Sequence, residues 1–388
     1  MERFTIPRDI YFDENALDIL KSFDGKKAML VIGGGSVKKN GNLDKIQGLL
    51  AEANIETQVI EGVSQEPTVE MVTKGAEDMK KFEPDWVIGI GGGSVMDAAK
   101  AMWLFYEHPD LTFEAATEPF SLPALRNKAK YAGIPTTSGS AAEVSNLSVI
   151  ADEKTGIKYP LADFGLTPDV AIVDPVMVED LPQNILADTG MDALTHCIEA
   201  YVAKPRTLYT NAIAIEGAEE VKDHLIASYE GNQESRKAMH NAQVMGGMAF
   251  GNAVLGNAHS LAHKSGPTFG IPHGRANAIY LPYVIQFNRK EVSDRFAKIA
   301  SRLGLEGNSE DELVDALVSY IGELNQKMNV PQSLKEFGVP EDQFKEHVAE
   351  MAKNAVTDPC TGTNPRETSE EEMKKLYEAA YYGEAVTF

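Results

Sequence analysis

This sequence predicts an α/β domain with a mostly parallel sheet, followed by an all-α domain, and three observations predict that class. Up to about residue 180, short β-rich runs alternate with amphipathic helical stretches, the pattern of a parallel α/β layer. After Asp174-Pro175 the β-rich runs stop and only helical spacing continues. The length of 388 residues exceeds one ordinary compact core and suits two, each large enough to bury most of its apolar side chains. We therefore expect domains at 1–180 and 181–388, with an active site in the cleft between them.

The elements follow in order. Residues 27–32 (KAMLVI) read as a strand, 43–53 as a helix, 57–60 as a strand and 69–82 as a helix. Residues 86–90 (WVIGI) form a buried strand that runs into glycines and then a helix over 95–106. Further strands are expected at 131–134, 147–151 and 170–174. Helical spacing then covers 185–202, 211–229, 235–250 and 311–328. There is no internal repeat and no low-complexity linker, so the boundary near 180 is a change of element type and not a flexible tether.

Charge narrows the partners. With 36 Lys+Arg against 58 Asp+Glu, the formal net charge is −22, which repels nucleic-acid backbones and anionic membrane surfaces. An anionic cofactor can still bind where backbone N–H groups and a few lysines form a local positive island. The N-terminal MERFTIPRDIYFDENA has no signal-peptide core, and no stretch approaches the roughly 20 apolar residues that span a bilayer, so a cytoplasmic protein is expected. Cys197 and Cys360 stand far apart, which is neither a disulfide framework nor a zinc ribbon and fits two small buried residues in a reducing compartment.

Three signals carry chemistry, the first of them divided between two separate segments. Of the eight histidines, His259, His263 and His273 fall within NAHSLAHKSGPTFGIPHG, the first two on one face of a helical turn. In GMDALTHCIE, Asp192 and His196 have the same four-residue spacing. Either pair alone is ordinary helix-surface decoration. Together, with glycines at 256, 266, 270 and 274 that let backbones approach, they favour a metal site with donors suited to Fe(II), Zn or Ni. Five candidate side chains for about four positions leave one histidine free.

The second signal is GIGGGSVMDAAK, whose Gly91, Gly92, Gly93 and Ser94 lie between a buried strand and a helix that Ser94 can cap; bare N–H groups there can face a phosphate. It is not the usual G-x-G-x-x-G fingerprint, but a comparable Gly33-Gly34-Gly35-Ser36 follows the first strand, as for two ends of one long ligand. The third is PTTSGSAAEVSN, a polar turn after a strand whose small hydroxyl residues can also bond ribose or nicotinamide.

With these motifs assembled, GIGGGSVMDAAKAMW, IPTTSGSAAEVS, KYPLADFGLTPDVAIVDP, TGMDALTHCIEAYV and HSLAHKSGPTFGIPHGRANA resemble the iron-dependent (group III) alcohol dehydrogenases, through to the C-terminal CTGTNPRE. The resemblance is strongest to butanol dehydrogenases and to the alcohol-dehydrogenase half of bifunctional aldehyde/alcohol dehydrogenases. It implies a dehydroquinate synthase-like fold, namely an N-terminal nucleotide-binding α/β domain and an all-α metal-binding domain, in a homo-oligomer, as a dimer. It also implies that Asp192, His196, His259 and His273 hold Fe2+ or Zn2+, and that His263 lies beside the nicotinamide and relays a proton. By the same resemblance Gly91–Ser94, with Asp97 behind, hold the pyrophosphate; Thr136, Thr137, Ser140 and Ser145 form the hydroxyl loop; and Lys158 reaches the ribose. The loop departs mildly, reading S-G-S-A-A-E where many members have A-G-T-G-S-E.

Relatives that prefer NAD carry an aspartate after the first strand, whose charge would repel a 2′-phosphate. This sequence has Gly34 and Gly35, which make room, Ser36, which can donate, and Lys38 or Lys39, which supply positive charge. NADP(H) is therefore the expected cofactor, with NAD a possible substitute, and hydride transfer with a small primary alcohol or aldehyde the expected reaction. A divalent ion would make the alcohol oxygen far easier to deprotonate, and His263 would pass on the proton. Three other readings share the architecture: a lyase like dehydroquinate synthase, a glycerol dehydrogenase-like enzyme, and an inactive filament-type scaffold.

Overall fold

The computed structural model describes residues 3–64, 66–153 and 157–388. The chain divides into two compact units, Met1–Asp180 and Leu181–Phe388.

In the first unit the strands are β1 (Asp9–Phe12), β2 (Lys27–Ile32), β3 (Glu56–Ile60), β4 (Trp86–Gly91), β5 (Lys130–Pro135), β6 (Leu147–Asp152), β7 (Ile157–Ala162) and β8 (Val170–Val173). The helices are α1 (Ser36–Lys39), α2 (Asn42–Glu52), α3 (Val69–Phe82), α4 (Gly93–Glu107) and α5 (Phe113–Ala116). The main sheet has the order β1-β8-β5-β4-β2-β3, and every pairing in it is parallel. Its central strands are continuous apolar runs because both faces are covered. Leu30, Ile32, Trp86 and Ile88 pack toward α2, whereas Met29, Val31 and Val87 pack toward α3 and α4.

The strand order also sets where a ligand can approach the sheet. The chain leaves β2 for β3 on one side, yet β4 pairs with β2 on the other, so the connections diverge between β2 and β4. Ligands of open α/β sheets bind at the carboxyl ends of strands at such a switch point. Two expectations differ. Residues 147–151 do form a strand, but β6 pairs antiparallel with β7 as a separate hairpin, because its β-rich composition does not specify which sheet it joins. β1, a short DIYF of mixed polarity, escaped the sequence reading and is held by β8, far away in the chain.

The second unit is helical throughout its described elements: α6 (Gln183–Val202), α7 (Leu208–Tyr229), α8 (Gln233–Ala253), α9 (Asn257–Phe269), α10 (His273–Arg302), α11 (Glu310–Lys327), α12 (Leu334–Phe337), α13 (Glu341–Val356), α14 (Pro359–Thr363) and α15 (Glu370–Tyr382). Helix starts are well signalled. Thr207 and Thr210 form a capping box on α7, as Ser369 and Glu372 do on α15, which ends at Gly383 in the left-handed conformation. A core of Leu261, Ile279, Tyr280, Phe287, Phe344 and Tyr377 joins α9 and α10 to the C-terminal helices. Both cysteines are buried and unpaired with each other. Among the described residues, no helix is long and apolar enough to cross a membrane.

Candidate functional site

In the first unit, the ends of β2, β4 and β5 are neighbours, and each runs into one of the small-residue loops. Gly91 closes β4, and α4 starts only two residues later; a Cβ on Gly91 would stand 2.5 Å from Val95 Cβ, so a side chain there is incompatible with so tight a turn. The N-cap of α4 is Gly92, and Ser94 lies inside the first turn rather than at the cap expected for it. The turn therefore brings glycine backbone to a helix start, a geometry that suits an anion.

The hydroxyl loop lies against this turn. Thr136 N–H donates to Gly91 O at 3.0 Å, Thr137 Oγ1 would be 3.4 Å from a Cβ on Gly92, and Ser140 Cβ would be 2.9 Å from one on Gly93. Ser145 is buried deeper: Lys100 Nζ donates to its carbonyl at 2.6 Å, to its Oγ at 3.2 Å and to Leu147 O at 3.0 Å. Burial lowers the Lys100 ammonium and raises the nearby Asp97 carboxyl, each opposed by the other's charge. After β2, Gly35 caps α1, which carries Ser36, Lys38 and Lys39. Lys38 is ion-paired with Glu61, and Lys158, on β7, with Glu66 at 2.7 Å. A Cβ on Gly34 would meet nothing within 4 Å.

In the second unit, α6, α9 and α10 converge. Asp192 and His196 lie one turn apart on α6, His259 and His263 one turn apart on α9, and His273 begins α10. From Asp192 Oδ1, His196 Nε2 is 3.9 Å away, His259 Nε2 3.7 Å and His273 Nε2 3.7 Å. Asp192, His196 and His259 are buried and offer ligand atoms within 4.8 Å of one another, whereas the His273 side chain is 46 % exposed. The rings of His196 and His259 stack at 4.8 Å.

Donor chemistry fits a divalent cation. A tetrahedral ion with bonds of about 2.0–2.2 Å separates its ligands by about 3.3–3.6 Å, slightly less than these distances. Asp192 is a buried carboxylate with no lysine or arginine paired to it among the described residues, a costly state without a cation. Burial opposes its ionisation, but the imidazoles of His196, His273 and His259 outweigh that and hold its carboxyl below the usual range. Burial and the neighbouring imidazoles hold His259 neutral, far below the ordinary histidine value.

His263 stands apart. It is 35 % exposed, stacks on His273 at 5.5 Å, and its Nδ1–H donates to Asp358 Oδ2 at 3.0 Å, leaving Nε2 for proton exchange. Burial would raise the Asp358 carboxyl, but His263 and Lys264, whose Nζ donates at 2.8 Å, hold it well below the usual range.

Three polar residues here were missed from sequence. Asn277, one turn beyond His273, places Nδ2 2.8 Å from Asp192 Oδ1, 3.0 Å from His259 Nε2 and 3.1 Å from His273 Nε2. Glu199 extends the Asp192–His196 stripe of α6 by one more turn, a periodicity that could have flagged it. Burial pushes its carboxyl up to about 7, against the lowering effect of the N–H groups of Ala258, Gly256 and His259. Asp358 is the third, 95 residues from His263; its Asp-Pro pair signals the start of α14 but nothing in it signals the histidine.

Gly274 sets the approach of α10 to α6, since a Cβ there would stand 2.1 Å from Asp188 O and 3.1 Å from Asp192 Cβ. Gly274→Ala should therefore cost about 1–3 kcal/mol in thermal unfolding and lower the metal content, because α10 must retreat and carry His273 with it. A variant with wild-type melting and metal content would show that this close approach is unimportant.

Known proteins share this chain's sequence and fold. The family profile described as iron-containing alcohol dehydrogenase matches residues 7–175, and that of the Fe-containing alcohol dehydrogenase family, C-terminal, matches residues 186–381. The chain is 56 % identical to an NADPH-dependent butanol dehydrogenase of Clostridium saccharobutylicum over the full length of both. It is 39 % identical to the bifunctional aldehyde-alcohol dehydrogenase of Escherichia coli, covering 97 % of this chain and 46 % of that protein. Among solved structures, an iron-containing alcohol dehydrogenase from Thermococcus thioreducens superposes with a TM-score of 0.90 at 35 % identity, covering 99 % of this chain and 100 % of that one.

Proposed function

This chain belongs to the iron-containing alcohol dehydrogenase family, and on that premise we propose that it interconverts small primary aldehydes and alcohols with NADP(H) at a divalent iron or zinc ion. The observation that carries the reading is the convergence of one buried carboxylate and three imidazoles from α6, α9 and α10. Asp192, His196, His259 and His273 would hold the ion. When bound, the ion supplies Lewis acidity, polarising the alcohol or aldehyde oxygen as hydride passes to or from the nicotinamide.

The chain's own residues do the rest. The Gly91–Ser94 turn, with Asp97 behind it, orients the pyrophosphate through backbone N–H groups; Thr136, Thr137 and Ser140 face it with hydroxyls; and Lys158, ion-paired with Glu66 in the cofactor-free chain, exchanges that partner for a ribose oxygen. Ser145, pinned by Lys100, supports the hydroxyl loop from beneath. His263, oriented by Asp358, moves the substrate proton through Nε2. The buried free cysteines support a cytoplasmic location.

Selectivity for NADP(H) rests on Gly34, Gly35, Ser36 and Lys39. Because Lys38 is engaged by Glu61, Lys39 is the lysine assigned to the 2′-phosphate. The 56 % identical relative is named as NADPH-dependent, which supports the same choice. Gly34→Asp tests it: the space is open, so the fold should hold while a carboxylate confronts the phosphate. We expect kcat/KM with NADPH to fall by about 10- to 100-fold and that with NADH to be kept or raised. An unchanged NADPH/NADH ratio would remove these residues from the assignment.

The lyase reading is disfavoured because Lys264, the one lysine or arginine between Asn257 and Gly274, is tied to Asp358 and leaves no cluster of such side chains there for a phosphorylated acid. Steady consumption of NADPH with butanal separates the two, since a lyase of that kind returns its hydride.

A further inference from the structure

Glu199 lies outside the donor set, seven residues beyond Asp192 on α6, and is buried. Its Oε2 lies 2.6 Å from His259 Nδ1, and its Oε1 accepts the backbone N–H of Ala258 at 2.7 Å. Gly256 makes room for it, since a Cβ there would stand 2.9 Å from Oε1. Asn277 Nδ2 donates to the other ring nitrogen, Nε2, at 3.0 Å, so the ring proton is on Nδ1 and both Glu199 oxygens work as acceptors, toward the backbone and toward the imidazole.

A neutral imidazole has one N–H, and the nitrogen that keeps it cannot ligate a metal. With the proton drawn to Nδ1, the lone pair of His259 is on Nε2, which faces Asp192 Oδ1 at 3.7 Å. His196 has no such support: among the described residues its buried Nδ1 has no hydrogen-bond partner. We propose that Glu199 is a positioning residue that locks His259 in its ligating tautomer and thereby sets the affinity of the centre for its ion. The inference rests on the reading of Asp192, His196, His259 and His273 as a metal centre.

Glu199→Gln discriminates this role from simple helix bracing. The amide has one acceptor and one donor group for two partners that both donate. Its oxygen should stay with Ala258, whose N–H is fixed, so its NH2 faces Nδ1. The imidazole is then drawn to carry its proton on Nε2, where the ion should bind, and Asn277 Nδ2, which keeps Asp192 Oδ1 as its acceptor, gives up its bond to that nitrogen. The bracing bond survives and the ligand is lost.

The test is Zn2+ titration of the chelator-stripped chain against a competing chromophoric chelator, with melting of the metal-free proteins alongside. We expect Glu199→Gln to melt close to wild type and to bind Zn2+ about 10- to 100-fold more weakly. Binding within about twofold of wild type would overturn the proposal. Wild-type chain that binds no Zn2+ would instead bring down the metal-centre reading and this inference with it. If the variant does not fold, 15N-histidine NMR of the metal-free wild type decides. The signals missing from His259→Ala should report Nδ1–H, and Nε2–H would overturn the proposal.

Discussion

His259→Ala should empty the centre and reduce turnover by about 10³-fold or more, because it removes the donor with the most support from the surrounding chain. His259 Nε2 is 3.7 Å from Asp192 Oδ1, its ring stacks on His196, and its Nδ1–H is bonded to Glu199. Truncation leaves the buried Glu199 carboxylate with a lost partner, so the metal-free protein should also melt lower, by about 1–3 kcal/mol. Elemental analysis of the variant should find almost no bound ion. A full complement of metal would show that His259 is not a ligand.

His263→Ala should produce the opposite separation, a fall in kcat of about 10²- to 10⁴-fold with the metal retained. Its ring is partly exposed and lies over His273, outside the buried donors, and Nδ1 is held by Asp358. Removing it leaves Asp358 paired with Lys264, so the local structure should persist. The residual rate should respond to small amine or imidazole bases added as proton carriers. Loss of metal in step with activity would make His263 a ligand and leave the proton path without its assigned group.

The clustering of these side chains was legible because helices print their faces in sequence, whereas their separate roles were implied only by the family resemblance. Asp192 with His196, and His259 with His263, recur at four residues, and the helices observed there place each pair on one side. The sheet was equally legible where strands are buried on both faces, as in KAMLVI and WVIGI. Legibility failed where partners are distant or geometry is decided by packing. Asp358 reaches His263 across 95 residues, β1 depends on β8, and β6 turned away into a hairpin although its composition suits any strand. Ser94 has the chemistry of a cap, but the closeness of Gly91 to Val95 starts α4 earlier and leaves the cap to Gly92. Glu199 and Asn277 fall between these cases. Each sits at helical spacing from a ligand candidate, yet a Glu or Asn on a helix carries no mark of its function until its neighbours are in place.

The most direct measurement is metal-dependent turnover of the stripped protein. Chain freed of metal by chelation should oxidise no NADPH with butanal, and anaerobic addition of Fe2+ or Zn2+ should restore activity in proportion to bound ion, levelling off at about one per chain. Full NADPH oxidation by the metal-free chain, or an ion that binds without His259, would contradict the account.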